Sequence, residues 1–201
     1  MSKIGVFGGT FNPIHNGHVS LGVYCKDELS LDKLMLIPTY TPPHKSSSEL
    51  AEEEHRVNMC KLATEQYGYF EVSDIEIERK GKSYTYETLN SLKEIYTEDE
   101  LYLIVGADMF LTLDKWKNPQ SIFKNATIVA VPRNDDDKND LVYYYDSTIK
   151  KLGAKAIVLE NPVVQVSSTY IRENIDNYQL IKSLIDSNVY EYIVKNKLYR
   201  K

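Results

Sequence analysis

The segment GGTFNPIHNGH, residues 8–18, concentrates groups that can handle phosphate. Gly8 and Gly9 follow the first apolar run of the chain, and a backbone without a Cβ can come close to a bound group. Thr10 adds a hydroxyl donor. A helical pattern starts near Gly17, so free N–H groups and the positive end of a helix point into the same region, a setting that suits an anion. His15 and His18 lie three residues apart. An imidazolium in the first turn of a helix is disfavoured by the dipole, and a bound phosphate reverses that balance. Both rings could then donate to phosphate oxygens and stabilise charge as it develops. Two structural histidines in a capped turn are an equally valid reading of these residues taken alone. A zinc site would need a third ligand, and none lies nearby in sequence. The stretch is neither GxGxxG nor GxxxxGK[ST], which argues against dinucleotide-type and P-loop sites.

Other stretches carry similar double readings. VSSTYIR, residues 166–172, puts Ser167, Ser168 and Thr169 where helix N-caps belong. Capping does not account for Arg172, expected in the first turn, where a cation opposes the dipole by roughly 0.3–1 kcal/mol and an anion would reverse the sign. IVGAD ends a strongly apolar run with Gly106 and Asp108, and the Asp reads equally as a cap for the next helix. SYTYETL, residues 83–89, reads as a helix start whose N–H groups and Ser83 and Thr85 hydroxyls can receive a carboxylate. PPHK, residues 42–45, is a rigid turn with His44 and Lys45. Trp116 is the only Trp, and large aromatics are more often core than ligand platforms.

These residues need elements to position them. KIGVFG, KLMLIP, YFEVSDIEI, LYLIVG, ATIVAVPR and AKAIVLE read as strands. Between them, HVSLGVYCKDEL, AEEEHRVNMCKLATEQY, SYTYETLNSLKEIY and DLVYYYDSTIKKLG read as helices, the last ended by Gly153. In AEEEHRVNMCKLATEQY the inward positions are Val57, Cys60, Leu62 and Ala63, and in SYTYETLNSLKEIY Leu89, Leu92 and Tyr96 share one side. The pattern turns helical again after VVQVSS, giving a C-terminal helical segment. TYTPPHKSSSEL and NDDDKND, residues 134–140, read as loops. Continuous apolar strands alternating with helices predict an α/β fold, a Rossmann-like doubly wound parallel sheet covered on both faces. Ligands bind such sheets beyond the carboxyl ends of the strands.

The chain has 201 residues, a net charge of −5 and 42% hydrophobic residues. These figures fit one globular domain, residues 1–201, and give no global basic field for nucleic acid. No apolar run is long enough for a membrane span. Cys25 and Cys60 make no CxxC pair and no zinc spacing, as expected for reduced, buried thiols in the cytoplasm.

GGTFNPIHNGH resembles the (H/T)xGH motif of the nucleotidyltransferase superfamily. PPHK, SYTYETL, IVGADMF with Trp116, and VSSTYIR follow in the matching order, so the resemblance spans nearly the whole chain. Within the superfamily the sequence is similar to the nicotinate-nucleotide adenylyltransferases. The resemblance implies adenylyl transfer from ATP to nicotinate mononucleotide, with Mg²⁺ accompanying the ATP and no protein metal site. It implies that His18, His15 and Arg172 are catalytic. The ATP phosphates would be held by Gly8, Gly9, Thr10, Phe11, Lys45, Ser168, Thr169 and Arg172, with Gly106, Asp108 and Arg133 at the nucleotide. Ser83, Tyr84, Thr85 and Trp116 would receive the nicotinate. The partners are then ATP and nicotinate mononucleotide, with no nucleic acid and no membrane; self-association as a homo-oligomer stays open. The sequence departs from the family pattern at Asn12, where Asp is usual, at Val166 for Ile, and at Lys117, where an aromatic residue is frequent. Pantetheine-phosphate adenylyltransferases, cytidylyltransferases and a non-catalytic nucleotide-binding role on the same fold are the alternatives.

Overall fold

A computed structural model describes residues 1–41, 50–132, 134–160 and 166–200. Its centre is a six-stranded parallel sheet: β1 (Lys3–Gly9), β2 (Lys33–Pro38), β3 (Phe70–Val72), β4 (Glu100–Gly106), β5 (Ala126–Val131) and β6 (Ala156–Val158), in the order β3-β2-β1-β4-β5-β6. Register is set by pairs such as Val6↔Met35, Val6↔Leu103 and Ile104↔Val129. The order reverses between β1 and β4. In doubly wound sheets the crevice at that reversal, beyond the strand ends, is where ligands bind. Gly8, Gly9 and Gly106 lie there.

Apolar residues on both faces of β1, β2, β4 and β5 explain why the centre of the sheet is buried between two layers. Leu34, Leu36, Ile104 and Val129 face one core, with α1 (Asn16–Leu29), α2 (Glu53–Thr64) and the C-terminal helices α8 (Ser168–Glu173), α9 (Tyr178–Ile181) and α10 (Ser187–Lys195). Met35, Ile37, Leu103 and Ile128 face the other, with Leu89 and Leu92 of α4 (Thr85–Ile95), Ile122 of α6 (Pro119–Asn125) and Leu141 of α7 (Asp135–Ser147). The expected spacing of α4 holds: Leu89 and Leu92 are buried and Tyr96 packs beside them. Both thiols are free and buried, and burial pushes Cys25 up to about 12. Among the described residues no helix is long and apolar enough to cross a membrane.

Two expectations fail locally. The strand read from YFEVSDIEI stops at Val72, and Ile75–Arg79 forms a short helix, α3. Its apolar–polar alternation does not face a sheet: Glu76 is buried and accepts a hydrogen bond from Thr88 Oγ1 at 2.6 Å. The polar run 134–140 is not a loop. Asn134 caps α7 by accepting from the Asp137 N–H at 2.9 Å, which supplies the helix start that the polar composition concealed.

On α2 the sequence spacing placed Leu62 inward, yet it is only partly buried, whereas Arg56 is completely buried. Its guanidinium meets no carboxylate in ion-pair contact among the described residues. It donates instead to three backbone carbonyls: Nε to Ala51 at 3.0 Å, NH1 to Thr10 at 3.0 Å and NH2 to Tyr40 at 3.3 Å. Desolvation lowers its pKa from the ordinary arginine value, with Glu53 opposing. Arg56 thereby ties α2 to the loops that follow β1 and β2. Replacing it with Met of similar length removes three charge-assisted bonds and leaves buried acceptors bare. Arg56→Met should cost about 3 kcal/mol of stability, read in denaturant unfolding; a loss below roughly 1 kcal/mol would mean the carbonyls find other donors.

Candidate active site

The loop between β1 and α1 is shaped by side chains that reach in from distant segments. Phe11 has a positive φ of 48°, and its ring is buried under Gly9, where a Cβ would come within 2.9 Å of it. Phe11 therefore meets the core, packing edge-on against Phe7 and His18, and its ring does not line the cleft. By contrast, a Cβ on Gly8 or Gly106 would meet nothing within 4 Å, so both strand ends open onto free space. Asn12 is buried, and its Oδ1 accepts from the Ala51 N–H at 3.0 Å and the Tyr199 hydroxyl at 2.8 Å. Both partners are donors. A side-chain oxygen is what the site requires, and Asn supplies it without a negative charge.

His15 is the N-cap of α1, so the helix begins one residue earlier than the sequence pattern placed it. Its Nδ1 accepts from the His18 N–H at 3.3 Å, which puts the ring proton of the neutral form on Nε2. Burial lowers His15 from 6.5 to about 4, against a smaller upward effect of its own backbone hydrogen bond. The two imidazoles stack, with centroids 3.6 Å apart and planes 14° from parallel. Two imidazolium rings at that separation would repel, so a neutral His15 leaves the pair at most one positive charge.

The C-terminal segment closes over this loop. Ser167 caps α8, accepting from the Tyr170 N–H. The Ser168 hydroxyl donates to the Pro13 carbonyl at 3.0 Å. Arg172 donates to the Asn12 carbonyl at 2.9 Å and to Thr169 Oγ1 at 3.3 Å. Arg172 sits in the last turn of a six-residue helix, not the first. The dipole does not oppose it there, and its orientation comes from the β1–α1 loop. His15, His18, Ser168, Thr169 and Arg172 thus form one corner around residues 12–18.

A cavity of about 700 Å³ opens at the same glycines, and the residues of that corner are not part of its lining. Gly8, Gly9, Thr10 and Gly106 form its base, and Ser83, Tyr84, Thr85 and Trp116 its wall. Ser83 is buried; its Oγ accepts from the Tyr40 N–H at 2.9 Å, leaving its own proton to donate. Tyr84 is the N-cap residue of α4 with no side-chain cap bond, so the first-turn N–H groups of that helix lie at the wall. The Trp116 indole N–H donates to Thr112 Oγ1 at 3.2 Å, which fixes the ring. Asp108 is exposed on α5 (Ala107–Phe110), outside the cavity lining. Lys45 and Arg133 fall outside the described residues.

Several lining residues were not singled out in the sequence: Thr39, Glu76, Met109 and Lys115. Thr39 follows β2 as Gly8 and Gly9 end β1, so topology would have found it once the strand order was known. Glu76 was hidden by the strand reading of its segment. Arg56 carried a signal, a charge in helical register with Cys60 and Ala63.

The Cytidylyltransferase-like family model matches residues 6–174. The chain is 40% identical to the "Probable nicotinate-nucleotide adenylyltransferase" of Clostridium tetani, over 100% of both chains. It is 37% identical to the protein of that name from Lachnoclostridium phytofermentans, over 99% of this chain and 100% of the relative. Among solved structures, Plasmodium falciparum nicotinic acid mononucleotide adenylyltransferase complexed with NaAD superposes with a TM-score of 0.77, covering 99% of this chain and 98% of that one. At 20% identity that likeness speaks for the fold. A doubly wound sheet, a histidine corner at the end of β1 and full-length similarity in sequence agree: the chain belongs to the nicotinate-nucleotide adenylyltransferases, a family of cytidylyltransferase-like nucleotidyltransferases.

Proposed function

We propose that residues 1–201 act as one nucleotidyltransferase domain that transfers the adenylyl group of ATP to nicotinate mononucleotide, giving nicotinate adenine dinucleotide and pyrophosphate in NAD biosynthesis. The observation that carries the reading is that the Gly8–Thr10 turn lines the cavity and leads directly into the segment that holds the histidine corner, whose own side chains are not part of that lining. One compartment suits a triphosphate and the other a flat acid, with the reacting phosphates meeting between them.

The acceptor phosphate, already an anion at neutral pH, attacks the α-phosphorus in line. One P–O bond forms, the bond to the β-phosphate oxygen breaks, and pyrophosphate leaves. No general base is required, so the protein's contribution is positioning and charge stabilisation. His18 is the leading transition-state donor, with neutral His15 donating through Nε2. Arg172, with Ser168 and Thr169, offsets charge on the triphosphate, and Lys45 and Arg133 are assigned supporting contacts there. Mg²⁺ arrives on ATP and keeps most of its waters; among the described residues no cluster of three or more His, Cys, Asp or Glu is placed to hold it, and Asp108 is the carboxylate assigned to the ribose or the metal–phosphate group. Trp116 is assigned to stack on the pyridine ring, and the start of α4 to receive its carboxylate.

Pyrophosphate release from Mg-ATP tests the reading, with nicotinate mononucleotide, nicotinamide mononucleotide and phosphopantetheine run in parallel. Turnover chiefly with the first is expected; turnover only with another acceptor would keep the chemistry and discard the substrate. His18→Ala should lower kcat by about 10²–10³, the usual loss for a preorganised donor, with the fold intact by circular dichroism. Near-normal turnover would remove His18 from the reaction.

The state of His15 gives a separate expectation. Its value in the folded protein, about 4, lies below the ordinary 6.5, so the unfolded chain binds more protons between those pH values. The stability linked to neutral His15 is complete above pH 6.5 and is lost as pH falls towards 4, by about 3 kcal/mol in all. Nitrogen NMR should find a neutral ring protonated at Nε2 at pH 6. An imidazolium at that pH in the folded protein would overturn the assignment.

A further inference from the structure

The wall of the cavity around Trp116 carries a feature that the histidine corner does not explain. Lys117 lines the cavity beside Trp116. Its ammonium lies over the Tyr84 ring, 4.1 Å from the centroid, and 5.9 Å from that of Tyr86. Among the described residues it makes no ion pair with a carboxylate. Tyr84 is also the residue at which α4 begins. A full positive charge and the positive end of an eleven-residue helix therefore converge on one wall.

We propose that Lys117 is the specificity-determining cation of the acceptor subsite: held over Tyr84, it pairs with the carboxylate of the pyridine mononucleotide and sets the preference for the acid over the amide. The inference rests on the adenylyl-transfer reading above and adds to it a side chain that the family pattern does not supply, since an aromatic residue is frequent at this position.

Three physical points support it. First, the two aromatic faces hold a flexible lysine near one place, which lowers the entropy lost when an anion binds. Second, acid and amide have nearly the same shape, and a full charge on the protein adds discrimination to that of the helix N–H groups because only the acid carries an opposite charge. Third, the negative charge in the cavity lining lies beside an arginine. Glu76 also lines it; its Oε1 accepts from Thr88 at 2.6 Å and faces Arg79 at 4.0 Å, while its Oε2 is buried without a hydrogen-bond partner among the described residues. Glu87 is bonded by Tyr86 at 2.7 Å and likewise paired with Arg79, at 3.6 Å. Lys115, exposed in the same lining, adds to the positive potential.

Calorimetric titration of nicotinate mononucleotide and nicotinamide mononucleotide into the wild type, Lys117→Met and Lys117→Arg provides the test, with kcat/KM for both acceptors alongside. Lys117 is exposed, and thermal melts verify that the variants fold. The wild type should prefer the acid. In Lys117→Met that preference should fall by about tenfold, chiefly through weaker binding of the acid, while Lys117→Arg should keep most of it. An acid preference in the wild type that survives unchanged in Lys117→Met would overturn the inference and leave the adenylyl-transfer reading standing. A wild type that neither binds nor adenylates the acid would overturn that reading, and the inference with it, before any variant is considered.

Discussion

The loop between β1 and α1 turns its carbonyls into the protein, where each must find a donor. The carbonyls of Thr10, Asn12 and Pro13 are met in turn by Arg56, Arg172 and Ser168. Unpaired, each would forfeit solvation without compensation. This requirement organises much of the fold outside the sheet. It accounts for a fully buried arginine without a carboxylate among the described residues and for a short C-terminal helix docked against the first loop; the Tyr199 hydroxyl, carried back across 187 residues of chain, meets the Asn12 side chain instead. The C-terminal helices are therefore more than a cover for the sheet, because their polar groups complete the β1–α1 turn.

The same constraint separates what was legible in the sequence from what was not. Runs such as LYLIVG and KLMLIP announced buried parallel strands because both faces of each are apolar, a property of composition alone. The chemistry-bearing residues were legible because glycines, hydroxyls and histidines clustered at strand ends. Arg172 shows the limit. Its presence was clear, but its orientation depends on an acceptor 160 positions away, and a first-turn dipole argument misread its place. Phe11 shows another: its neighbours line the cavity, yet the positive φ at its own position sends its ring into the core. The segment 73–79 misled because alternation over a few residues fits a strand and a short helix alike, and the burial of Glu76 against Thr88 decided for the helix.

The tyrosines divide in the same way. Of the cluster at 143–145, Tyr143 is 75% exposed, whereas Tyr144 donates to Asp114 at 2.5 Å and supports the turn leading into Trp116. Of the C-terminal group, Tyr192 receives a bond from Asn58 and contacts His55, both on α2, and Tyr199 reaches Asn12. These hydroxyls fasten the C-terminal segment to α2 and to the first loop, so their number reflects a core assembled from polar-tipped rings.

An acidic protein that handles two phosphate-bearing substrates must concentrate positive potential locally. With a net charge of −5 the chain as a whole repels such substrates, and salt weakens that repulsion over about 10 Å. Around the cleft the terms are short-ranged and of the other sign: the uncapped N-terminus of α4, Arg172 in the histidine corner, and Lys115 and Lys117 in the cavity lining. Asn12 fits this arrangement. A carboxylate there would satisfy the same two donors and add a buried negative charge. A neutral side-chain oxygen keeps both hydrogen bonds without it, and a neutral His15 keeps its Nε2 proton as a donor. On the proposed reading, anion binding rests on the N–H groups at the start of α4 and on a few placed cations, which would let a negatively charged protein hold negatively charged ligands.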